Sequence, residues 1–168
     1  MSEMTQTRKP PRGLARLFFR MPLLFYRAGL GWLLGSRFLL LNHVGRKSGL
    51  PRQTVLEVVN HEKETDTYSV AVGFGPKTDW YRNLLKTPQA SIQVGRRKLD
   101  VIADPLDPEA SAEAMVDYAR RHPAAARNLS RLLGYDVAQG NEEEYRRVGR
   151  DVVQFVALRP LSAPKHEN

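Results

Sequence analysis

The side chains best able to do chemistry crowd into one short stretch, Val44-Gly45-Arg46-Lys47-Ser48-Gly49-Leu50-Pro51-Arg52. It holds two glycines, one hydroxyl and three cations. Gly45 and Gly49 allow positive φ, so that several backbone N–H groups can be aimed at one point. Ser48 adds a donor. Arg46, Lys47 and Arg52 add charge, and arginine grips phosphate or carboxylate through two parallel hydrogen bonds. Two readings fit these residue types, an anion cradle or a basic surface turn without a ligand. A Walker loop is excluded, because the Gly-x4-Gly-Lys-Ser/Thr spacing is absent.

The elements around the stretch must hold it in place. Arg37 to Val44 reads as a buried strand and Gln53 to Val59 as the next. Asn60 to Asp66 reads as a polar turn, and Thr67 to Val72 alternates as a third strand. In Gly73-Phe74-Gly75-Pro76 the periodicity stops. Two glycines beside a phenylalanine suit either close approach to a flat ligand or a plain loop. Thr78 or Asp79 caps a helix, Trp80 to Lys86, that ends before Pro88. Its expected core face is Trp80, Leu84 and Leu85, with Asn83 one position off that face. Ser91 to Val94 and Lys98 to Ala103 form a hairpin about Gly95-Arg96-Arg97, where both arginines read as solvated turn charges.

Asp107-Pro108-Glu109 starts a helix that runs to Arg121. Pro123 separates it from a second helix, Ala124 to Leu133, closed by Gly134. Residues 140–149 are charged and read as an exposed segment or short helix. Val152 to Leu158 makes a sixth strand. The order β-β-β-α-β-β-α-α-β is not the βαβ alternation of a Rossmann fold. It predicts an α+β protein whose mainly antiparallel sheet closes on itself as a barrel, with helices over the gaps.

The chain has 168 residues, 42% hydrophobic and 26% charged, enough for one compact domain. Its formal charge of +8 is unevenly spread. Residues 1–52 carry ten Lys/Arg against the single acid Glu3, a net of +9, so the remaining 116 residues sum to −1. A basic front end on a near-neutral domain argues against a nucleic-acid partner. Residues 1–13 read as a polar lead-in. From Leu14 to Leu34 the chain is apolar but interrupted by Arg16, Arg20 and Arg27, which fall within about 40° of one another at helical spacing. Pro22 should kink or split that helix. The arginines disfavour both a signal peptide and a membrane span. An amphipathic helix at the membrane surface fits the pattern, as does a helix packed on its own domain or on a second copy in a homodimer. The predicted organisation is residues 1–36 as lead and amphipathic helix, 37–160 as a cofactor-binding domain, and 161–168 as a tail. The expected location is cytoplasmic, with peripheral contact at the inner face of the cell membrane.

No cysteine is present, which removes disulfides, thiol nucleophiles and Cys-based zinc sites. His43, His61, His122 and His166 show no metal spacing. His43, within a strand, reads as a satisfied core or rim histidine. No Gly-x-Ser-x-Gly elbow or close carboxylate pair marks a hydrolase. A chain that cradles an anion but lacks a nucleophile or acid/base pair suits a bound cofactor that does the chemistry, or a non-catalytic binder.

Gly45-Arg46-Lys47-Ser48-Gly49-Leu50-Pro51-Arg52, followed by Trp80-Tyr81-x-Asn83-Leu84, resembles the signature of the deazaflavin-dependent nitroreductase family. Lys86-Thr87-Pro88-Gln89-Ala90 before Ile92-Gln93-Val94 adds to the likeness. The resemblance implies a split β-barrel of the FMN-binding kind that binds the deazaflavin coenzyme F420. Its reduced form would give hydride to a quinone, a nitro compound or another small acceptor. Arg46, Lys47 and Arg52 would grip the phosphate and polyglutamate tail, with the backbone of Ser48 and Gly49 and the motif residue Pro51 beside them. Gly73, Phe74 and Gly75 would run along the ring, and Trp80 and Asn83 would brace the pocket. No catalytic side chain and no metal are assigned. The loop 73–79 is shorter than in better-known members, and the tyrosine cluster they place over the substrate is absent. Alternatives on the same fold are an FMN-dependent reductase and a non-enzymatic binder of cofactor or lipid.

Overall fold

The computed structural model describes residue 24 and residues 26–162. Most of the expected amphipathic helix, residues 14–23, lies outside the described residues. Those described divide into a sheet unit (residues 24, 26–70, 79–105 and 156–162) and a helical unit (71–78 and 106–155).

The sheet unit is built on seven strands: β1 Phe38–Val44, β2 Pro51–Glu57, β3 Asn60–Glu62, β4 Thr67–Ala71, β5 Gln89–Val94, β6 Arg97–Pro105 and β7 Phe155–Pro160. Their order across the sheet is β2-β1-β5-β6-β7-β4-β3. The pairs β1–β2, β1–β5, β3–β4, β5–β6 and β6–β7 are antiparallel. β1 lies between β2 and β5, so both of its edges are hydrogen-bonded, and successive residues Leu39, Leu40 and Leu41 are buried on both of its faces. That is why this strand reads as a continuous apolar run rather than an alternation. With Val70, Ile92, Val101 and Leu158 these leucines make the core of the unit.

From residue 37 onward the predicted strands and helices are present, with three corrections. The polar stretch after Val59 is not only a turn, because Asn60–Glu62 forms the short seventh strand against β4. Its polar side chains hid it, since a three-residue edge strand needs backbone partners more than an apolar face. Arg97 is not simply a solvated turn charge, because its guanidinium bonds the buried Asp66. On the helix α1, Asp79–Lys86, Leu85 is 55% exposed, while Tyr81 and Asn83 join Trp80 and Leu84 inside. The polar amide is buried because it has partners, described below.

The helical unit contains α2 Pro108–Arg121, α3 Pro123–Leu132 and α4 Glu142–Asp151. Asp107 caps α2 by accepting from the Ala110 N–H at 2.8 Å. The charged segment near residues 140–149 is a helix with a reciprocal cap, Asn141 with Glu144. It carries its charge outward and buries Tyr145 and Val148, while Met115 and Val116 of α2 are buried in the same unit. Ion pairs Arg150–Glu109, Arg120–Glu142 and Arg146–Glu113 link α4 and its start to α2.

Before β1, residues 31–34 form a single 3-10 turn. The Tyr26 hydroxyl donates to the Phe38 carbonyl at 3.0 Å and anchors this approach to the sheet. Among the described residues no helix is long and apolar enough to cross a membrane.

Candidate functional site

The β1–β2 hairpin aligns Val44 with Pro51 and His43 with Arg52. Residues 45–50 bridge it. The Gly45 N–H donates to the Leu50 carbonyl at 2.9 Å, and the Gly49 N–H to the Gly45 carbonyl at 2.8 Å. The Leu50 N–H donates to Ser48 Oγ at 3.2 Å. Gly49 sits at φ +68°, a conformation that favours glycine. A Cβ on Gly45 would fall 2.7 Å from Ser48 Oγ. Both glycines are therefore favoured by the loop's own geometry.

A second set of bonds ties this loop to α1. Asn83, 5% exposed, accepts on Oδ1 from both the Arg46 N–H and Arg46 Nη1, each at 3.0 Å. Arg46 Nη2 reaches the Asp79 carboxylate at 2.9 Å, and Lys86 Nζ donates to the Arg46 carbonyl at 2.8 Å. Arg46 is thus held by three residues through these four hydrogen bonds, and its side chain is only 18% exposed. Behind it, Asn83 Nδ2 lies 3.1 Å from His43 Nδ1. Burial, aided by the charge of Arg52 and opposed by Asp79, holds His43 below its ordinary pKa of 6.5.

What remains unengaged is the outer rim. Lys47 and Arg52 are exposed. Among the described residues no acceptor takes the Lys47 or Ser48 N–H. Two cations and two adjacent N–H donors next to a rigidly braced loop make a complete donor set for a multiply charged anion. The residue types therefore fit a cofactor with a phosphate and carboxylate tail.

The other expected residues fall in different places. Pro51 opens β2 and is exposed. Trp80 is buried in α1, edge-on to Tyr81 with ring centroids 6.1 Å apart. Gly73, Phe74 and Gly75 belong to the helical unit. There Gly75 has φ +84°, and its carbonyl accepts from the Thr78 hydroxyl at 2.7 Å. Sequence reasoning left Asp79, Lys86 and His43 outside the site. Asp79 was legible only as a helix cap and His43 only as a core residue, because nothing in a linear spacing links position 43 to position 83.

The profile of the F420H2-dependent quinone reductase family matches residues 25–132. The chain belongs to this family. Membership brings the reduced deazaflavin F420H2 as the family's reductant. Among curated relatives, the F420H2-dependent quinone reductase of Mycobacterium tuberculosis (strain H37Rv) is 34% identical over 85 residues, 49% of this chain and 52% of that protein. The chain thus spans about half the length of the curated relatives it matches. Among solved structures, an F420H2-dependent reductase, FDR-A, superposes with a TM-score of 0.51 at 22% identity, covering 74% of this chain and 96% of that one. A pyridoxamine 5'-phosphate oxidase-related, FMN-binding protein of Nostoc punctiforme superposes at 0.50 and 14% identity, covering 92% and 82%. These likenesses carry the fold, the split β-barrel that the family resemblance implied.

Proposed function

We propose that this family member is an oxidoreductase that uses F420H2 to reduce a small acceptor, with a quinone as the first candidate. The observation that carries the reading is the outer rim of the β1–β2 loop, where the side chains of Lys47 and Arg52 and the N–H groups of Lys47 and Ser48 have no partner among the described residues. They are the groups a charged tail would engage. When bound, the reduced deazaflavin supplies a hydride. The chain's own residues bind and orient. Lys47 and Arg52 neutralise the tail, Ser48 and Gly49 shape the backbone around it, and Arg46, held by Asn83 and Asp79, keeps the loop from moving. The family resemblance gives the ring to Gly73, Phe74 and Gly75, an assignment that rests on sequence. The proposed cofactor-binding domain remains residues 37–160.

Contact with a membrane surface would suit a lipid-soluble quinone. It is supported by the exposed apolar side chains of Leu24, Leu30, Trp32 and Leu33 beside the basic front end. Co-sedimentation with anionic liposomes, with and without residues 1–36, should show binding lost on truncation. Equal binding by both forms would remove this part of the proposal.

The central test is titration of the purified protein with F420H2 and with FMN, read by absorbance and tryptophan fluorescence, followed by addition of quinone. Saturable F420H2 binding and quinone-dependent oxidation are expected. Preference for FMN would overturn the cofactor assignment. Tight F420H2 binding without oxidation by any quinone or nitro acceptor would make the protein a carrier rather than an enzyme.

A further inference from the structure

We infer that His43 is a positioning residue: through Asn83 it orients the amide that holds Arg46, and it does so only while its imidazole is neutral. The inference rests on the F420 reading for its functional consequence, but its geometric part stands apart from any ligand.

The chemistry follows from the donor count. Asn83 Oδ1 already receives two N–H groups from Arg46, both at 3.0 Å. A flipped amide would turn its NH2 group toward these two donors and lose both bonds. The orientation is therefore fixed, with Oδ1 toward the loop and Nδ2 toward His43. Nδ2 has only hydrogens to offer, so His43 Nδ1, 3.1 Å away, must accept. In the neutral ring the proton then sits on Nε2. Protonation of Nδ1 would set N–H against N–H inside a region where His43 is 7% exposed and Asn83 is 5% exposed. Either the amide turns, releasing both Arg46 bonds, or the ring and the amide part. In both cases the loop loses its inner anchor.

Burial of the ring favours the neutral form, and charged groups surround it. Arg52 stands opposite His43 on β2, Asp79 and Lys86 come from α1, and Arg46 from the loop. β5 brings only Ser91, Ile92 and Gln93 against β1, none of them titratable. Burial first, then the charge of Arg52, lower the His43 pKa against the opposing charge of Asp79. Because the folded value lies below 6.5, this contribution is complete above pH 6.5 and is lost as pH falls toward the lower folded value.

The test uses the ligand-free full-length protein. NMR hydrogen exchange gives the protection factor of the Arg46 amide, corrected for intrinsic exchange, from pH 8 down to about 4.5. The His43 ring nitrogen shifts are followed in the same samples. Wild type should keep its protection at high pH and lose about tenfold of it in step with His43 protonation, the equivalent of about 1.4 kcal/mol. His43→Gln, whose side-chain oxygen can accept from Asn83 but cannot protonate, should hold the protection across the range. Arg46 protection that does not follow the His43 titration in wild type, or that still titrates in His43→Gln, would overturn the inference. F420 affinity measured on the same two proteins should follow the protection factor. Absence of any F420 binding would count against the proposed function alone and leave the exchange result to decide the role of His43.

Discussion

Two hairpin turns of the sheet unit use nearly the same ingredients and reach opposite ends. The β3–β4 turn carries Asp66, which is 5% exposed. Its carboxylate accepts from Arg97 Nη2 at 2.5 Å and lies 2.8 Å from His61 Nε2, and His61 stacks on Tyr68 with centroids 4.0 Å apart. Arg97 also reaches the Tyr68 hydroxyl at 3.4 Å. Every charge in that cluster meets its complement within the chain. The β1–β2 loop also joins a histidine, an acid and arginines, yet it spends only Arg46 and Asp79 on one another. Among the described residues the side chains of Lys47 and Arg52 are left over. Satisfied polar clusters specify a fold, whereas unspent donors on a rigid frame specify a ligand. On the proposed function, the difference between a structural clip and a binding loop is thus a matter of stoichiometry more than of residue type.

The largest expected effect breaks the binding loop and spares the fold. Lys47→Ala with Arg52→Ala should weaken F420 binding by about 3–6 kcal/mol, two charge-assisted contacts at about 1.5–3 kcal/mol each. The unfolding midpoint should stay close to wild type. Equilibrium titration beside thermal denaturation checks both halves, and unchanged affinity would return this loop to the status of a basic turn.

Asp66→Ala should do the reverse. Loss of the carboxylate leaves Arg97 and His61 unmatched and puts alanine at φ +54°, so stability should fall by about 2–4 kcal/mol in urea titration, with F420 affinity kept. Arg97, then His61, hold the Asp66 carboxyl below its ordinary 3.8. Its contribution is therefore present above pH 3.8 and is lost as pH drops through the lower folded value. An acid-unfolding midpoint that does not move in Asp66→Asn would deny the clip that role.

Arg46→Ala should straddle the two classes, because this arginine is braced like a structural residue but placed in the binding loop. A loss of about 1–2 kcal/mol in stability and a similar loss in affinity is expected. A change confined to affinity would mean that its bonds to Asp79 and Asn83 yield when the anion arrives. The smallest effect should come from Gly49→Ala. A Cβ there meets open space, so only the left-handed backbone resists, at about 1 kcal/mol.

Much of the scaffold was legible because its signals are local. The leucines of β1 and the cap Asp107 before Pro108 act over a few residues, and the order of the elements excluded a βαβ sheet. β3 escaped because a short edge strand is defined by its partner rather than by its own side chains. The burial of Asn83 escaped for a related reason. Helical periodicity scores an asparagine as polar, and only its contacts with His43 and Arg46 make an inward position tolerable.

The candidate site divides along the same line. The sequence by itself determined which residues could meet an anion, since glycine spacing and clustered cations within eight positions are local facts, and its motif pointed to the family. Only the tertiary structure decided how the cations share the work. Arg46 is separated from Asn83 by 37 positions and from Asp79 by 33, and His43 from Asn83 by 40. Pairings over such separations depend on how α1 docks on β1. The hydrogen-bond partners that make Arg46 a brace, and leave the Lys47 and Arg52 side chains without one among the described residues, could therefore be read only after the chain had folded.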